Sequence, residues 1–255
     1  MSAPEGGDGP VLRPLVLAAH GTASEEGRRV VERCAARAAT ALGVDHAVGY
    51  VDVCGPTLEQ ALAELARPVV VPFFLATGYH VRQDVPSAVA SCAPGATVTP
   101  ALGDADEVVQ ALAARVLEAG AAAAPADAGS IDAVVLTAAG SSVRAARAEV
   151  VRVSGLLGEA LGVATGTAYL TGPGPRPEEE VARLRAAGHA RVVLASHLLS
   201  PGHFLDRAQA AAVALGAVPT GPLGTHTALP ELVVRRYREA VAATAGAAAA
   251  PTLAR

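Results

Sequence analysis

The sequence contains no lysine and no tryptophan, and only 3% of its 255 residues are aromatic. All 20 basic residues are therefore arginines; they form no basic run, and the formal net charge is −4. Proteins that bind nucleic acids depend on basic patches and, for single strands, on aromatic platforms. We therefore expect no nucleic-acid partner.

Long apolar runs are also missing, because charges or prolines interrupt every stretch of about 18 residues that could span a membrane. The first ten residues, MSAPEGGDGP, have neither the basic nor the apolar region of a signal peptide. Cys34, Cys54 and Cys92 are widely spaced and form no CxxC pair, which suits a reducing compartment and excludes zinc-finger-type sites. We predict a cytoplasmic protein without membrane association.

Short β-branched runs alternate with longer segments rich in Ala, Leu, Glu and Arg. This alternation is typical of α/β folds with parallel sheets. The uninterrupted apolar run VVVPFFL favours a strand that is covered on both faces. The strands that we predict around the main motifs are Leu15–Ala19, Ala47–Val53, Val69–Leu75, Ala133–Thr137, Thr165–Leu170 and Arg191–Ala195.

The pattern occurs twice along the chain. VVLTAAGSS resembles LVLAAHGTA, and YLTGPGP resembles YVDVCGP, both at an offset of 119 residues (Tyr50 to Tyr169). In the third segment SHLLSPGHF resembles PFFLATGYH, and matching the histidines near their ends places His203 opposite His80 at an offset of 123. The chain therefore looks like a duplicated α/β unit.

We predict an N-terminal α/β domain over residues 12–120 that carries the active site, and a C-terminal α/β domain over 131–244. The segment GAAAAPADAGS is small and nearly featureless, and we interpret residues 121–130 as a linker. Residues 1–11 are predicted to be a disordered lead-in and 245–255 a tail.

Three potential metal ligands follow three strands of the first repeat. In parallel α/β sheets, ligands bind beyond the carboxyl ends of the strands. His20, Asp52 and His80 fall at that edge, and Gly21 and Gly78 beside them allow the backbone to turn. Two imidazoles and one carboxylate suit a borderline divalent metal ion.

Each of these residues also has a simpler interpretation, and spacing alone does not decide between them. A histidine at a strand end is often a hydrogen-bonded structural residue, and Asp52 could cap the helix that Pro56 opens. Other enzyme classes lack their motifs: the sequence has no GxSxG elbow and no nucleotide phosphate loop.

The stretches LAAHGT, YVDVCGPTLEQAL and VVVPFFLATGYHVRQDVPSAV together resemble the sirohydrochlorin chelatase family, the CbiX/SirB type, in its long two-repeat form. The resemblance covers about residues 12–242. It implies two Rossmann-like domains that face each other across a central cleft. It also implies a lyase that inserts a divalent metal ion into sirohydrochlorin without ATP, with no organic cofactor and with the metal as substrate.

By this resemblance His20 and His80 are the catalytic pair, and His20, His80 and Asp52 handle the metal. The family commonly has Glu at the position of Asp52, so the shorter Asp could act through water or orient a histidine instead. The second repeat keeps His203, a candidate third imidazole, but has Ala139 and Thr171 in place of the other two ligands. We therefore expect one active site.

The tetrapyrrole substrate carries many carboxylates, which arginine side chains bind well. Arg82 is the best candidate and Arg207 on the facing half is the second. The full set expected to bind the substrate is Gly21, Thr22, Gly78, Tyr79, Arg82, His203 and Arg207.

The residues do not separate Fe²⁺ from Co²⁺. We favour Fe²⁺, and thus sirohaem synthesis, because the chain has no histidine-rich tract. A cobaltochelatase for cobalamin synthesis and a non-catalytic carrier of tetrapyrrole or metal remain the alternatives. Because two repeats can form the cleft within one chain, we expect a monomer.

Overall fold

The computed structural model describes residues 12–123, 131–224 and 226–249. The predicted lead-in, residues 124–130 of the predicted linker and the last six residues of the predicted tail lie outside these ranges. The sequence-based expectations for those segments therefore stay predictions.

The first half contains four strands and five helices in the described residues. In chain order they are β1 (Leu15–Ala19), α1 (Glu25–Leu42), β2 (His46–Tyr50), α2 (Leu58–Ala63), β3 (Val69–Pro72), α3 (Tyr79–Arg82), α4 (Asp84–Cys92), β4 (Thr97–Val98) and α5 (Asp106–Ala123).

The second half repeats this order with one short helix fewer among the described residues. Its elements are β5 (Ala133–Ala138), α6 (Arg144–Leu161), β6 (Ala164–Tyr169), α7 (Pro177–Ala186), β7 (Val192–His197), α8 (His203–Ala214), β8 (Val218–Pro219) and α9 (Ala228–Ala249).

Each half forms a four-stranded sheet, with the orders β2-β1-β3-β4 and β6-β5-β7-β8, and every strand pair is parallel. The predicted fold class, a duplicated α/β protein with parallel sheets, is confirmed. In each sheet the first strand of the half, β1 or β5, lies between two neighbouring strands. The loops that follow the strands therefore leave the carboxyl edge on both sides of β1 and of β5. This arrangement forms the crevice in which parallel sheets bind ligands.

Local sequence signals set the first helix. Ser24 is the N-cap of α1 and its hydroxyl accepts a hydrogen bond from the Gly27 N–H at 3.1 Å. Gly43 ends the helix in the left-handed conformation, with φ of 69°, which glycine adopts without a steric penalty.

One hydrophobic core joins the two sheets. Leu15 and Leu17 of β1 belong to the same cluster of buried side chains as Val134 and Leu136 of β5. The alternate residues of β1 point to the other face and pack with α2 and α4 in a separate cluster. Both faces of β1 are thus covered, and so are those of β3, as the apolar run VVVPFFL predicts, because Val69 and Val71 belong to the first cluster and Val70 to the second.

The last helix of each half packs on the other half. Helix α9 lies against α1 and β3, while α5 lies against β7, β8 and α6. The Tyr237 hydroxyl of α9 donates a hydrogen bond to the Arg13 carbonyl at 2.6 Å, and Arg235 pairs with Glu107 of α5 at 2.7 Å. This exchange couples the two halves, so the relative position of the sheets depends on both helices.

The sheet registers correct one repeat alignment. Leu15 pairs with Val69, and its repeat equivalent Val134 pairs with Val193, so the third strands correspond at an offset of 124 rather than 123. With this offset Phe204, not His203, is the equivalent of His80. Gly78 and Gly202, the N-caps of α3 and α8, also correspond at 124.

Several predicted element ends differ from the structure. β2 ends at Tyr50 and β3 at Pro72, three residues earlier than expected in each case, although single backbone hydrogen bonds continue past both ends. Helix α5 continues three residues into the predicted linker, and α9 continues to Ala249, since alanine runs extend helices readily. None of the described helices has the length and low charge required to cross a membrane.

Candidate metal site

Three side chains at the carboxyl edge of the first sheet lie together. One ligand atom each of His20, Asp52 and His80 lies within 4.8 Å of the other two. The two imidazole rings meet edge to face, with centroids 4.6 Å apart and planes at 85°. Within the described parts of the chain, no second group of three such residues is equally close.

The spacing suits one small cation. Imidazole nitrogen and carboxylate oxygen bind divalent transition metals at about 2.0–2.2 Å, so two ligands of one ion are about 3–4 Å apart. The three ligand atoms lie up to 4.8 Å apart, and small rotations of the exposed side chains would bring them to the spacing that one ion requires. His20 and Asp52 are exposed and His80 is half-buried, so an ion would stay accessible from the crevice.

The backbone brings His20 and Asp52 together because pairing between the first two strands continues beyond their ends. The Asp52 N–H donates to the His20 carbonyl at 3.0 Å. Gly21 has φ of 100°, and a Cβ at this residue would lie 2.0 Å from the Asp52 carbonyl oxygen. Only glycine fits this position, which explains why the sequence places it directly after the histidine.

His80 reaches the cluster from the short helix α3. Its ring stacks on Phe74, with centroids 6.3 Å apart, and its Nδ1 lies 2.5 Å from the Asp84 Oδ2. A carboxylate only accepts, so Nδ1 donates this hydrogen bond and Nε2 is left for a metal. The His20 Nδ1 likewise faces a carbonyl oxygen, that of Gly21, at 3.3 Å.

The Asp52 carboxylate is held on one side only. Its Oδ1 accepts a hydrogen bond from the Val53 N–H at 2.7 Å. Val53 has φ of 64°, a left-handed conformation that is unusual for a β-branched residue, and strained backbone of this kind clusters at functional sites. The second carboxylate oxygen has no hydrogen bond recorded in the described structure and can bind a cation.

Loops of the second half approach the loops that carry the cluster. The loop after β1 faces the loop after β7, since a Cβ at Gly202 would lie 3.2 Å from the Thr22 hydroxyl oxygen. A Cβ at Gly78 would likewise lie 3.7 Å from the Ser141 hydroxyl oxygen, after β5. Carboxyl edges of both sheets therefore meet around the site.

The residues expected to bind substrate occupy different environments. Tyr79 is 61% exposed, and Arg82 is also exposed. The Arg207 guanidinium donates to the Leu170 carbonyl at 3.0 Å, so part of its hydrogen-bonding capacity stabilises the second half. His203 is exposed and its ring contacts Phe204; it is not a member of the three-residue cluster.

The second half keeps the backbone of this site without its ligands. The Thr171 N–H donates to the Ala139 carbonyl at 2.9 Å, as the Asp52 N–H does to the His20 carbonyl. Gly140 has a positive φ of 114°, as Gly21 does in the first half. The Thr171 hydroxyl also donates to the Ala139 carbonyl, at 2.7 Å. The second half therefore has the same backbone turn as the first, with Ala139 and Thr171 in place of the potential metal ligands.

Two other titratable groups near the first sheet are unsuited to ionise at neutral pH. Burial raises the pKa of the Cys34 thiol to about 12, and burial also raises the pKa of Tyr50 to about 12. Neither a Cys34 thiolate nor a Tyr50 phenolate is therefore present to bind a metal or accept a proton.

Sequence reasoning missed two residues that hold the loop of His80. One is Asp84, whose spacing of four residues from His80 in the HVRQD stretch was the available signal. The other is Glu149 of α6, whose Oε2 accepts a hydrogen bond from the Thr77 N–H at 2.7 Å. No motif could have indicated Glu149, because its partner is a backbone group in the other half.

The fold and the cluster define a duplicated α/β protein with an open group of three potential metal ligands at the edge of its first sheet. The CbiX family model matches residues 14–119 and again 133–240. The chain belongs to this family, and the resemblance to the sirohydrochlorin chelatases is confirmed.

Individual relatives agree with this assignment. A sirohydrochlorin cobaltochelatase from Methanopyrus kandleri is 35% identical over 78 residues, which cover 28% of this chain and 54% of that protein. The chain thus matches about half the length of this curated relative.

SirB from Bacillus subtilis with Fe³⁺ superposes with a TM-score of 0.77 at 21% identity, covering 91% of this chain and 97% of that one. The cobalt complex of SirB from B. subtilis subspecies spizizenii gives 0.75 at 18% identity, with the same coverage. These two structures share the fold.

Proposed function

We propose that this protein inserts a divalent metal ion into sirohydrochlorin without ATP, with Fe²⁺ as the physiological metal. The observation that carries the proposal is the cluster of His20, Asp52 and His80 at an open sheet edge, in a chain of the CbiX family. The metal is a substrate that passes through the site, and no organic cofactor takes part.

The ligand set is suited to transfer rather than storage. Two neutral imidazoles and one carboxylate bind a divalent ion less tightly than a closed set of four ligands does. Because the ligands are exposed or half-buried, the macrocycle nitrogens can approach the ion from the crevice and replace the protein ligands in turn. A buried four-ligand site would retain its metal.

Insertion also requires removal of protons. Two pyrrole N–H groups of the macrocycle each lose a proton as the metal–nitrogen bonds form, and the dication replaces those two protons. Neutral imidazole is a suitable acceptor near pH 7. We assign this role to His20 and His80 after they release the metal, with transfer to solvent through the exposed edge of the site.

The second half serves as the opposite wall of the crevice. Its loops approach those of the first half near Thr22 and Gly78, and we propose that the macrocycle lies between them. We propose that Tyr79 and Arg82 contact the ring and its carboxylates, with His203 and Arg207 on the facing side. Since one chain supplies both walls, we propose a monomeric enzyme, which light scattering of the purified protein would test.

Cobalt is the second candidate metal. The relative from M. kandleri is named a cobaltochelatase, and the imidazole and carboxylate ligands accept either ion. The choice between Fe²⁺ and Co²⁺ depends on rates with each metal, measured side by side under anaerobic conditions.

The deciding experiment follows sirohydrochlorin absorbance after addition of Fe²⁺ or Co²⁺ to the full chain without ATP. We expect catalytic turnover above the uncatalysed rate. His20→Ala and His80→Ala should each lower the rate at least about a hundredfold, with circular dichroism unchanged because neither side chain is in the core. Stoichiometric binding without acceleration would instead identify a carrier.

A further inference from the structure

We propose that Glu149, in the second half, is a positioning residue that holds the loop of His80 in its metal-binding conformation. The inference rests on the proposed function and assigns a task to the repeat that has lost its own ligands. The observation behind it is the 2.7 Å hydrogen bond from the Thr77 N–H to the Glu149 Oε2.

The loop that carries His80 has few anchors of its own. None of the four residues of α3 is buried, and its N-cap, Gly78, has no side chain to cap the helix. Helices this short are not stable by themselves. The position of His80 therefore depends on contacts from outside α3, and Thr77 lies only three residues before the imidazole.

The Glu149 contact is well placed to supply this support. Thr77 and Glu149 are both half-buried, so water competes less for the hydrogen bond than at the surface. An ionised acceptor makes a stronger bond to a backbone N–H than a neutral one does. Glu149 forms no salt bridge with an arginine in the part of the chain that the structure describes, which leaves its carboxylate for the loop.

The repeat provides an internal comparison. The residue of the first half that corresponds to Glu149 is Val30, at an offset of 119. The residue of the second half that corresponds to Thr77 is Pro201, at an offset of 124. Val30 is 1% exposed and packs close to Gly224, and proline has no N–H to donate. The loop before Phe204, which carries no cluster residue, therefore cannot form the hydrogen bond that the His80 loop makes, because valine offers no acceptor and proline no N–H.

The test titrates Co²⁺ alone into the full chain and compares wild type with Glu149→Ala, Glu149→Gln and Glu159→Ala. Glu159 is an exposed residue on the same helix and serves as the matched control. We expect about tenfold weaker Co²⁺ binding for Glu149→Ala, the loss typical of residues that orient a metal ligand. Glu149→Gln keeps an acceptor oxygen and should retain most of the affinity, and Glu159→Ala should match wild type.

Steady-state rates separate positioning from a general loss of structure. A displaced His80 raises the KM for the metal and leaves the KM for sirohydrochlorin unchanged, whereas partial unfolding lowers kcat and changes neither. Unchanged Co²⁺ affinity and metal KM in Glu149→Ala would overturn the inference while the proposed function stands. A wild-type protein that neither binds Co²⁺ nor accelerates metal insertion would overturn both.

Discussion

The Nδ1 of His80 lies 2.5 Å from the Oδ2 of Asp84, four residues further along the chain. Because a carboxylate only accepts, this bond fixes which imidazole nitrogen carries the proton and leaves the other free, and the ring centroid of His20 lies 4.6 Å from that of His80. Carboxylates in this position make histidine a better ligand and restrict its rotation. We therefore expect Asp84 to orient His80, although it is not one of the three clustered residues.

Replacing Asp84 should weaken metal binding without displacing the fold. We expect Asp84→Ala to lower Co²⁺ affinity by about 10- to 100-fold, because the imidazole then rotates and loses its preferred tautomer. Asp84→Asn keeps an acceptor oxygen without the charge and should fall between. Titration of visible Co²⁺ absorption measures the change, with the exposed Asp45 at the opposite edge, replaced by Ala, as the control. Equal affinities in all four proteins would contradict the role of Asp84.

Asp52 provides a second prediction, because the family commonly has the longer Glu there. The Asp52 carboxylate already lies within 4.8 Å of both histidine ligand atoms, so its length suffices in this chain. Asp52→Asn should lower metal affinity about tenfold, since a neutral amide attracts a dication less. Asp52→Glu should stay near wild type. If Asn matched wild type, direct ligation by Asp52 would be wrong and a water-mediated contact would replace it.

Arg82 is expected to act on the tetrapyrrole and not on the metal. It is exposed and lies two residues after His80, and no salt bridge occupies it in the described chain. Arg82→Ala should raise the KM for sirohydrochlorin about tenfold, the loss expected for one charge-assisted contact. The KM for the metal should not change. Arg37→Ala, an exposed arginine of α1, is the control, and equal KM values for both variants would exclude Arg82 from the substrate site.

The sequence contains enough information to place the three cluster residues at one edge. Strand β1 has the ends that the apolar run predicts, and the rule for parallel sheets then puts His20, Asp52 and His80 together. This works because hydrophobic periodicity reports burial, and the order of strands follows from a small set of topologies.

Features that depend on contacts distant in sequence could not be predicted in this way. The apolar face of α9 shows that the helix is covered, but not that it packs on the first half. The one-residue error that paired His203 with His80 arose from matching the two histidines, although the segments around them correspond at an offset of 124. Hydrogen-bond register, visible only in the folded sheet, decides such cases.

The buried histidine at the end of β7, His197, makes the stability of the protein depend on pH. It corresponds to Phe73, which is 2% exposed, and it is itself buried, with no hydrogen-bond partner for its Nε2 among the residues that the structure describes. Burial lowers the pKa of His197 to about 4, below the ordinary value near 6.5. The folded protein therefore holds this imidazole neutral, while the unfolded chain binds a proton at mildly acidic pH.

Because the unfolded state takes up more protons between these two pKa values, the His197 contribution to stability is complete above about pH 6.5. It decreases as the pH falls toward 4, by at most about 1.4 kcal/mol per pH unit. We expect His197→Phe, the residue of the first repeat, to remove this part of the pH dependence. Urea unfolding at pH 7.5, 6.0 and 5.0 measures it, with the exposed His46→Gln as the control. A His197→Phe protein that loses stability as steeply as wild type between pH 6.5 and 5 would show that the buried imidazole is not the group that titrates.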